Sequence, residues 1–212
     1  MPGLFVSFEG GEACGKSTQV ARLVQKLESM GRQVISIREP GSTRVGEAIR
    51  NLLLHSEQGL NLTPGAELLL FGASRAQLIE EIIRPALKEG KIIVADRFTD
   101  STTVYQGIAR GLGLKFIREM EEFVCAGLRP AATFLLDLDL QTIQSRRLRR
   151  VRPVNGPDRM EELPPEFHQK VREGYLQLAR EFPERIKVVD AARSADEVEA
   201  AIWKEINAIL GR

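Results

Sequence analysis

The chain has 212 residues and a net charge of +1, from 30 basic against 29 acidic side chains. Hydrophobic residues make up 43% and charged residues 28%, close to the globular mean, which excludes a disordered or collagen-like chain. Folded-surface scaling for this length buries about 70% of the unfolded surface, enough for one core without disulfides. No apolar run approaches the ~20 residues of a membrane span. Met1 to Val6 lacks a basic leader and reads straight into a strand. Two cysteines, Cys14 and Cys125, are too few for a disulfide framework, so the expectation is a cytoplasmic, membrane-free protein. Near-neutral charge argues against a general nucleic-acid surface.

In chain order, Leu4–Phe8 reads as a strand. Residues 16–30 follow as a helix, with Val20, Leu23, Val24 and Leu27 at helical spacing and Gly31 at the end. Val34–Ile37 is a second strand and residues 44–54 a helix. Thr63-Pro64 gives a cap followed by an N1 proline for a long helix to about Leu87. Ile92–Ala95 is a third strand. Residues 98–107 and 114–126 are expected to be helical, the second with Phe116, Ile117, Met120, Phe123 and Val124 on one apolar face, read as core in preference to interface. Ala132–Leu136 is a fourth strand, followed by a helix from about Leu140. Residues 151–164 carry Pro and Gly and read as a mobile loop. Residues 165–181 are helical, Ile186–Val189 is a fifth strand, and Ser194 to Glu197 is a capping box for the last helix. The alternation predicts a five-stranded parallel sheet with helices on both faces. The strands are continuous apolar runs, as expected where both faces are covered.

Gly10-Gly11-Glu12-Ala13-Cys14-Gly15-Lys16-Ser17 fits G-x-x-x-x-G-K-[ST] between a strand and a helix. Such a loop turns its backbone N–H groups inward around phosphate, and the helix N-terminus adds its dipole. Gly10 to Thr18 is therefore the expected ATP-binding stretch, with Lys16 on the β- and γ-phosphates and Ser17 on Mg²⁺. Cys14 has two readings, a redox-sensitive thiol or a small residue filling the loop; the second is favoured. Asp96 ends an apolar strand in the Walker B manner and is expected to hold Mg²⁺ through water. Arg97 follows it and suits a second phosphate.

Arg outnumbers Lys by 22 to 8, and five Arg fall between Arg146 and Arg152. Taken alone this is a solvated helix face. Opposite a P-loop it reads as catalytic, because inserted guanidiniums stabilise a phosphoryl group in transfer. No Asn-Lys-x-Asp follows a later strand, where a guanine-selective switch carries it; the fourth strand runs into Asp137-Leu138-Asp139-Leu140. A small-molecule kinase fits better than a nucleotide switch, and no interleaved basic–aromatic stretch supports a nucleic-acid ATPase.

The combination of Phe8-Glu9-Gly10, Arg38-Glu39-Pro40-Gly41-Ser42-Thr43, Glu67 to Phe71, Ser74-Arg75-Ala76-Gln77, Asp96-Arg97-Phe98 and Asp158-Arg159-Met160-Glu161, with Phe167 and Tyr175, closely resembles the bacterial thymidylate kinases. The resemblance runs over nearly the whole chain. It implies a three-layer P-loop NTPase fold, one domain over 1–212 with a lid at about 146–164, and ATP-dependent phosphorylation of dTMP to dTDP with Mg²⁺. It implies that Phe71 stacks on thymine, Arg75 donates to O4, Arg97 binds the dTMP phosphate and Glu12 approaches the 3′-hydroxyl. Glu39, Pro40, Ser101, Thr102, Tyr105 and Gln106 complete the substrate site, with Tyr105 blocking a ribose 2′-hydroxyl. Thr102 stands where some relatives have Asn, and Ser42 where many have Gly. Glu12-Ala13-Cys14 holds no basic residue, so the chain looks like the lid-arginine type; Arg149 and Arg150 are the expected catalytic pair beside Lys16 and Arg97. The family also implies a homodimer. A kinase of another nucleoside or nucleotide is the nearest alternative.

Overall fold

The computed structural model describes residues 3–54, 61–149 and 159–211. Five strands, β1 (Leu4–Glu9), β2 (Val34–Arg38), β3 (Ile92–Asp96), β4 (Ala132–Asp137) and β5 (Ile186–Asp190), form one sheet in the order β2-β3-β1-β4-β5. Every neighbouring pair is parallel. The helices are α1 (Lys16–Ser29), α2 (Arg44–Leu54), α3 (Pro64–Leu78), α4 (Arg84–Lys88), α5 (Thr99–Thr102), α6 (Leu114–Cys125), α7 (Leu140–Arg149), α8 (Pro165–Glu181) and α9 (Ala195–Leu210). The strand interiors are covered on both faces. Val6, Phe8, Val94 and Phe134 pack with α1 and α9, while Phe5, Ile93 and Ala95 pack with the segment around Leu78, Ile79 and Ile83. Burial of this kind stabilises by roughly 25 cal/mol per Å² of apolar surface. This is the five-stranded, doubly covered sheet that the apolar runs predict.

Two helices depart from the expected form. The stretch read as one helix from residue 64 to 87 is α3 and α4 joined by a π-helical turn at Ile79–Ile83. Pro85 lies just beyond that turn. It lacks an N–H and its ring crowds the carbonyl four residues back, which a wider turn relieves. Thr63 caps this helix as expected, its Oγ1 accepting from Ala66 N at 3.3 Å. The stretch read as helix 98–107 is the short α5 followed by a second π-helical segment, Thr103–Ala109. The Ser194–Glu197 capping box is present in both directions.

The apolar stripe of α6 divides. Ile117 is fully buried, and Met120 and Val124 pack near Gly72 of α3. Phe116 and Phe123 are 53% and 87% exposed. The core reading thus holds for one side of the helix only, because residues 116 and 123 share a line, seven apart, that turns away from α3. Ser42 has φ 68°, a left-handed conformation costing a side chain about 1–2 kcal/mol. Its Oγ accepts from Arg38 N at 2.8 Å, a bond Gly cannot make, which offsets that cost at a position where Gly is the unstrained choice.

Candidate active site

Parallel order brings the ends of β1, β2 and β3 to one edge, with Phe8 and Arg38 both in register with Asp96. The functional side chains leave the sheet there. After Glu9 the chain makes the phosphate loop into α1. Gly10 has φ 137°, and a Cβ on it would meet Leu136 O at 2.5 Å, so only glycine fits. Gly15, at φ 95°, precedes Lys16 at the head of α1. The Lys16 ammonium, 8% exposed, donates to Gly10 O at 3.2 Å and Gly11 O at 2.8 Å. Cys14 is buried and its Sγ donates to Gly11 O at 3.0 Å, which supports the loop-filling reading.

Ser17 Oγ donates to Asp96 Oδ2 at 3.0 Å. Among the described residues no group of three His, Cys, Asp or Glu side chains is placed to hold a metal. One hydroxyl and one carboxylate at the mouth of an anion-binding loop nevertheless fit Mg²⁺, which takes one or two protein oxygens and fills its octahedron with water and substrate phosphate.

Above this edge lies a cleft of about 570 Å³, in the range of small-molecule sites. Glu12 to Thr18 line one part; Glu39, Pro40, Phe71, Arg75, Thr102 and Gln106 line the other. Arg97, Ser101 and Tyr105 stand between them, with Asp96 beside Ser17. All of the expected substrate residues are therefore gathered on one cavity. Gly10 and Gly11, at the start of the loop, line a smaller neighbouring cavity.

Arg97, at φ 74°, is the hub. Its Nη1 donates to Gly10 O (3.1 Å), Ser101 Oγ (3.2 Å) and Tyr175 OH (3.1 Å), and its Nη2 to Glu12 Oε1 (2.5 Å) and Tyr105 OH (3.4 Å). Glu9 sits underneath, fully buried. It accepts from Phe98 N at 2.8 Å, Ser101 Oγ at 2.6 Å and Tyr175 OH at 2.8 Å. Burial, then the charge of Asp100, pushes the Glu9 carboxyl up, against the pull of Arg97. Glu12 goes the other way. Burial alone would raise it, but the charges of Arg97, Lys16 and His168 bring it down to about 2.

That depression links stability to pH. Ionised Glu12 contributes stability that is fully present above its unfolded value of 4.5 and is lost as pH falls towards about 2. The shift corresponds to on the order of 3 kcal/mol. Denaturant melts of wild type and Glu12→Gln should differ by about that at pH 7 and converge progressively as pH falls from about 4.5 through about 2; a gap independent of pH would overturn the assignment.

Arg75 is 1% exposed and lies between two carboxylates. It donates to Glu39, Nε to Oε2 at 2.8 Å, and to Glu121 of α6. Burial pushes the Glu39 carboxyl up to about 7 in spite of Arg75. Arg38 also borders the cleft, but its guanidinium pairs with Glu47. Arg146 lines the cleft and donates to Ala191 O at 2.9 Å; Arg147 donates to Glu161 O at 2.6 Å. Arg149 closes α7, and its side chain, like Arg150 and Asp158, lies outside the described residues.

Sequence reasoning gave no roles to Glu9, Glu67, Arg110, Glu121, Arg159 and Tyr175. Glu9 carried a signal, a carboxylate ending a strand buried on both faces. Tyr175, Glu67 and Arg159 stood among the family markers without a stated role. Glu121 and Arg110 pair across 40 or more residues, with Arg75 and Glu67, and nothing local announces them.

Comparison with known proteins agrees with this geometry. The family model described as thymidylate kinase matches residues 8–202. A thymidylate kinase of Syntrophotalea carbinolica is 48% identical over 205 residues, 94% of this chain and 93% of that protein. One of Deinococcus radiodurans is 43% identical over 205 residues, 97% of each. The crystal structure of thymidylate kinase from Ehrlichia chaffeensis matches with a TM-score of 0.77 at 30% identity, covering 97% of this chain and 99% of that one. A phosphate loop, a Walker B carboxylate and an arginine-centred cleft, on a sheet matched nearly end to end by these relatives, mean that the chain belongs to the thymidylate kinase family.

Proposed function

We propose that the chain carries out the reaction of its family, transfer of the γ-phosphoryl group of ATP to dTMP, giving dTDP. The observation that carries this reading is the single cleft shared by the phosphate loop and the Phe71, Arg75 and Gln106 wall, which supports donor and acceptor sites within reach of each other. Gly10 to Thr18 bind the ATP phosphates. Ser17 and Asp96 are the residues that would hold Mg²⁺, which neutralises phosphate charge when bound. Phe71 offers an aromatic face to the base, with Glu39, Pro40 and Thr102 beside it. Arg75 offers a donor to a base carbonyl. Arg97, framed by Glu12, Ser101 and Tyr105, offers the acceptor phosphate a guanidinium. The acceptor is already an anion at neutral pH, so no strong general base is needed; catalysis is positioning and electrostatics. Arg149 and Arg150 supply the lid charge on the phosphoryl group.

The same reading makes 1–212 one domain with its lid at about 146–164, acting in the cytoplasm on a small nucleotide and not on nucleic acid. No helix among the described residues is long and apolar enough to cross a membrane. The exposed Phe116 and Phe123 of α6 support a homodimer that covers this side of α6, since contiguous exposed apolar surface marks association sites.

An acceptor panel tests the function. With ATP and Mg²⁺, dTMP should be turned over best among dTMP, dUMP, the ribonucleotide of thymine and thymidine; fastest phosphorylation of the nucleoside would overturn the reading. Within the lid, Arg149→Ala or Arg150→Ala should lower kcat by about 10³-fold, the lower end for an inserted arginine. Unchanged turnover on replacing each arginine from Arg146 to Arg152 would overturn the lid assignment.

A further inference from the structure

Gln106 lies in the π-helical segment Thr103–Ala109 and lines the acceptor part of the cleft. Its Nε2 donates to Glu67 Oε1 at 2.9 Å, and both residues are buried, at 2% and 0% exposure. A primary amide has a donor end and an acceptor end, whereas an ionised carboxylate only accepts. Glu67 therefore decides which way the amide of Gln106 stands. The amino end faces Glu67 and the oxygen is left as the polar atom for the cleft. The reverse orientation would set two acceptors against each other in a buried site, which is costly.

The charge of Glu67 is itself enforced. Arg110 donates to it from Nε at 2.7 Å and Nη2 at 2.9 Å, and Arg159 from Nη2 at 2.5 Å. Burial pushes this carboxyl up, but the bonds from Arg110, Gln106 and Arg159 outweigh it and hold the group below the usual range. Arg159 is in turn seated by donating from Nε to Leu53 O at 3.1 Å. The anion is thus gripped by Arg110 at the end of the π segment and by Arg159, itself anchored on α2, and the amide inherits that rigidity.

We propose that Glu67 is a specificity-determining positioning residue: by taking the amino end of Gln106 it makes the cleft present a hydrogen-bond acceptor to the base, beside the donor offered by Arg75. An acceptor next to a donor matches a pyrimidine edge with an N–H beside a carbonyl. It mismatches the cytosine edge, where a bare ring nitrogen lies beside an amino group and both polarities are inverted. A site built for one hydrogen-bond pattern rejects the other because buried groups are left unpaired. The inference rests on the reading that the acceptor base lies against Gln106.

The test compares kcat/KM for dUMP and dCMP, which differ only at this edge. In Glu67→Gln the partner is a neutral amide able to pair with Gln106 in either sense, and the preference for dUMP should fall about tenfold or more, through the acceptor KM, with the KM for ATP unchanged. Arg159→Gln keeps the Glu67 carboxylate and Arg110; it should lower thermal stability while keeping the preference. Gln106→Ala separates the two levels. If it leaves the preference intact, the base does not meet Gln106 and the underlying reading fails. If it abolishes the preference while Glu67→Gln keeps it, the positioning role fails. Should Glu67→Gln not fold, the wild-type amide carries the test by ¹⁵N NMR. The Gln106 side-chain NH₂, assigned by its loss in Gln106→Ala, should exchange slowly with water before and after dTMP is added; free exchange in the unliganded protein would overturn the proposal.

Discussion

Lys16→Ala is expected to lower kcat by about 10³-fold or more while leaving the protein folded. Removing one neutral donor aimed at developing charge already costs about 10² to 10³ in turnover. Lys16 carries a full charge and is itself buried, so it acts at lower dielectric than in water. Its partners among the described residues are the carbonyls of Gly10 and Gly11 and, at 3.7 Å, Cys14 Sγ. These belong to the loop itself, so α1 and the sheet do not depend on the ammonium. The melting temperature should accordingly stay within a few degrees. Lys16→Arg should not restore turnover, because a planar fork cannot take the place of a compact ammonium among inward-facing loop groups. Steady-state kinetics and a thermal melt on the same preparation decide the matter; turnover within tenfold of wild type would remove Lys16 from the transfer step.

The sheet and the donor half of the cleft were legible for local reasons. Continuous apolar runs such as Ile92–Ala95 require cover on both faces, and a glycine-rich turn between strand and helix has few other uses. Asp96 could be placed beside Ser17 from parallel order alone, and the two are 3.0 Å apart. What was not legible is long-range polar pairing. Arg75 was read as a reader of the base; the structure shows it as the buried bridge between Glu39 and Glu121. The sequence shows three charged residues, but only the packing of α3 against α6 makes them one group. The same holds for Glu67, whose three cationic or amide partners come from 39 to 92 positions away. The π turns escaped because helical periodicity is nearly blind to one extra residue per turn. In the Thr103–Ala109 segment that extra residue sets where Tyr105 and Gln106 emerge, and widened turns of this kind are common at functional sites. The α6 stripe misled for a different reason: apolar spacing reports that a face avoids water, not which neighbour covers it.

Arg97→Ala should be the most damaging single change, affecting stability and acceptor use together. The guanidinium bridges the loop carbonyl of Gly10, the carboxylate of Glu12 and the hydroxyls of Ser101, Tyr105 and Tyr175. Removing one partner of a buried ion pair costs about 3–5 kcal/mol, because the remaining charge is left uncompensated. Here Glu12 loses its main counter-charge, and Glu9, 4.0 Å from the same guanidinium, loses the charge that opposes its burial. The left-handed φ of 74° at Arg97 adds a strain of order 1–3 kcal/mol, which Ala retains, so the variant gains nothing from the backbone. Functionally, Glu12 without its arginine leaves an uncompensated anion where the acceptor phosphate is expected, and it repels a dianion, while Glu9 loses the charge that opposes its neutral form. We therefore expect kcat/KM for dTMP to fall by about 10³-fold, with the KM for ATP nearly unchanged because the phosphate loop keeps Lys16 and its backbone donors. Arg97→Lys restores charge but not the fork and should recover part of the stability and little of the acceptor affinity. Glu12→Gln in the Arg97→Ala background is the informative double change. It removes the orphaned anion, so it should raise the melting temperature of Arg97→Ala although it lowers that of wild type. A double variant less stable than Arg97→Ala would show that Glu12 is not the charge Arg97 exists to hold.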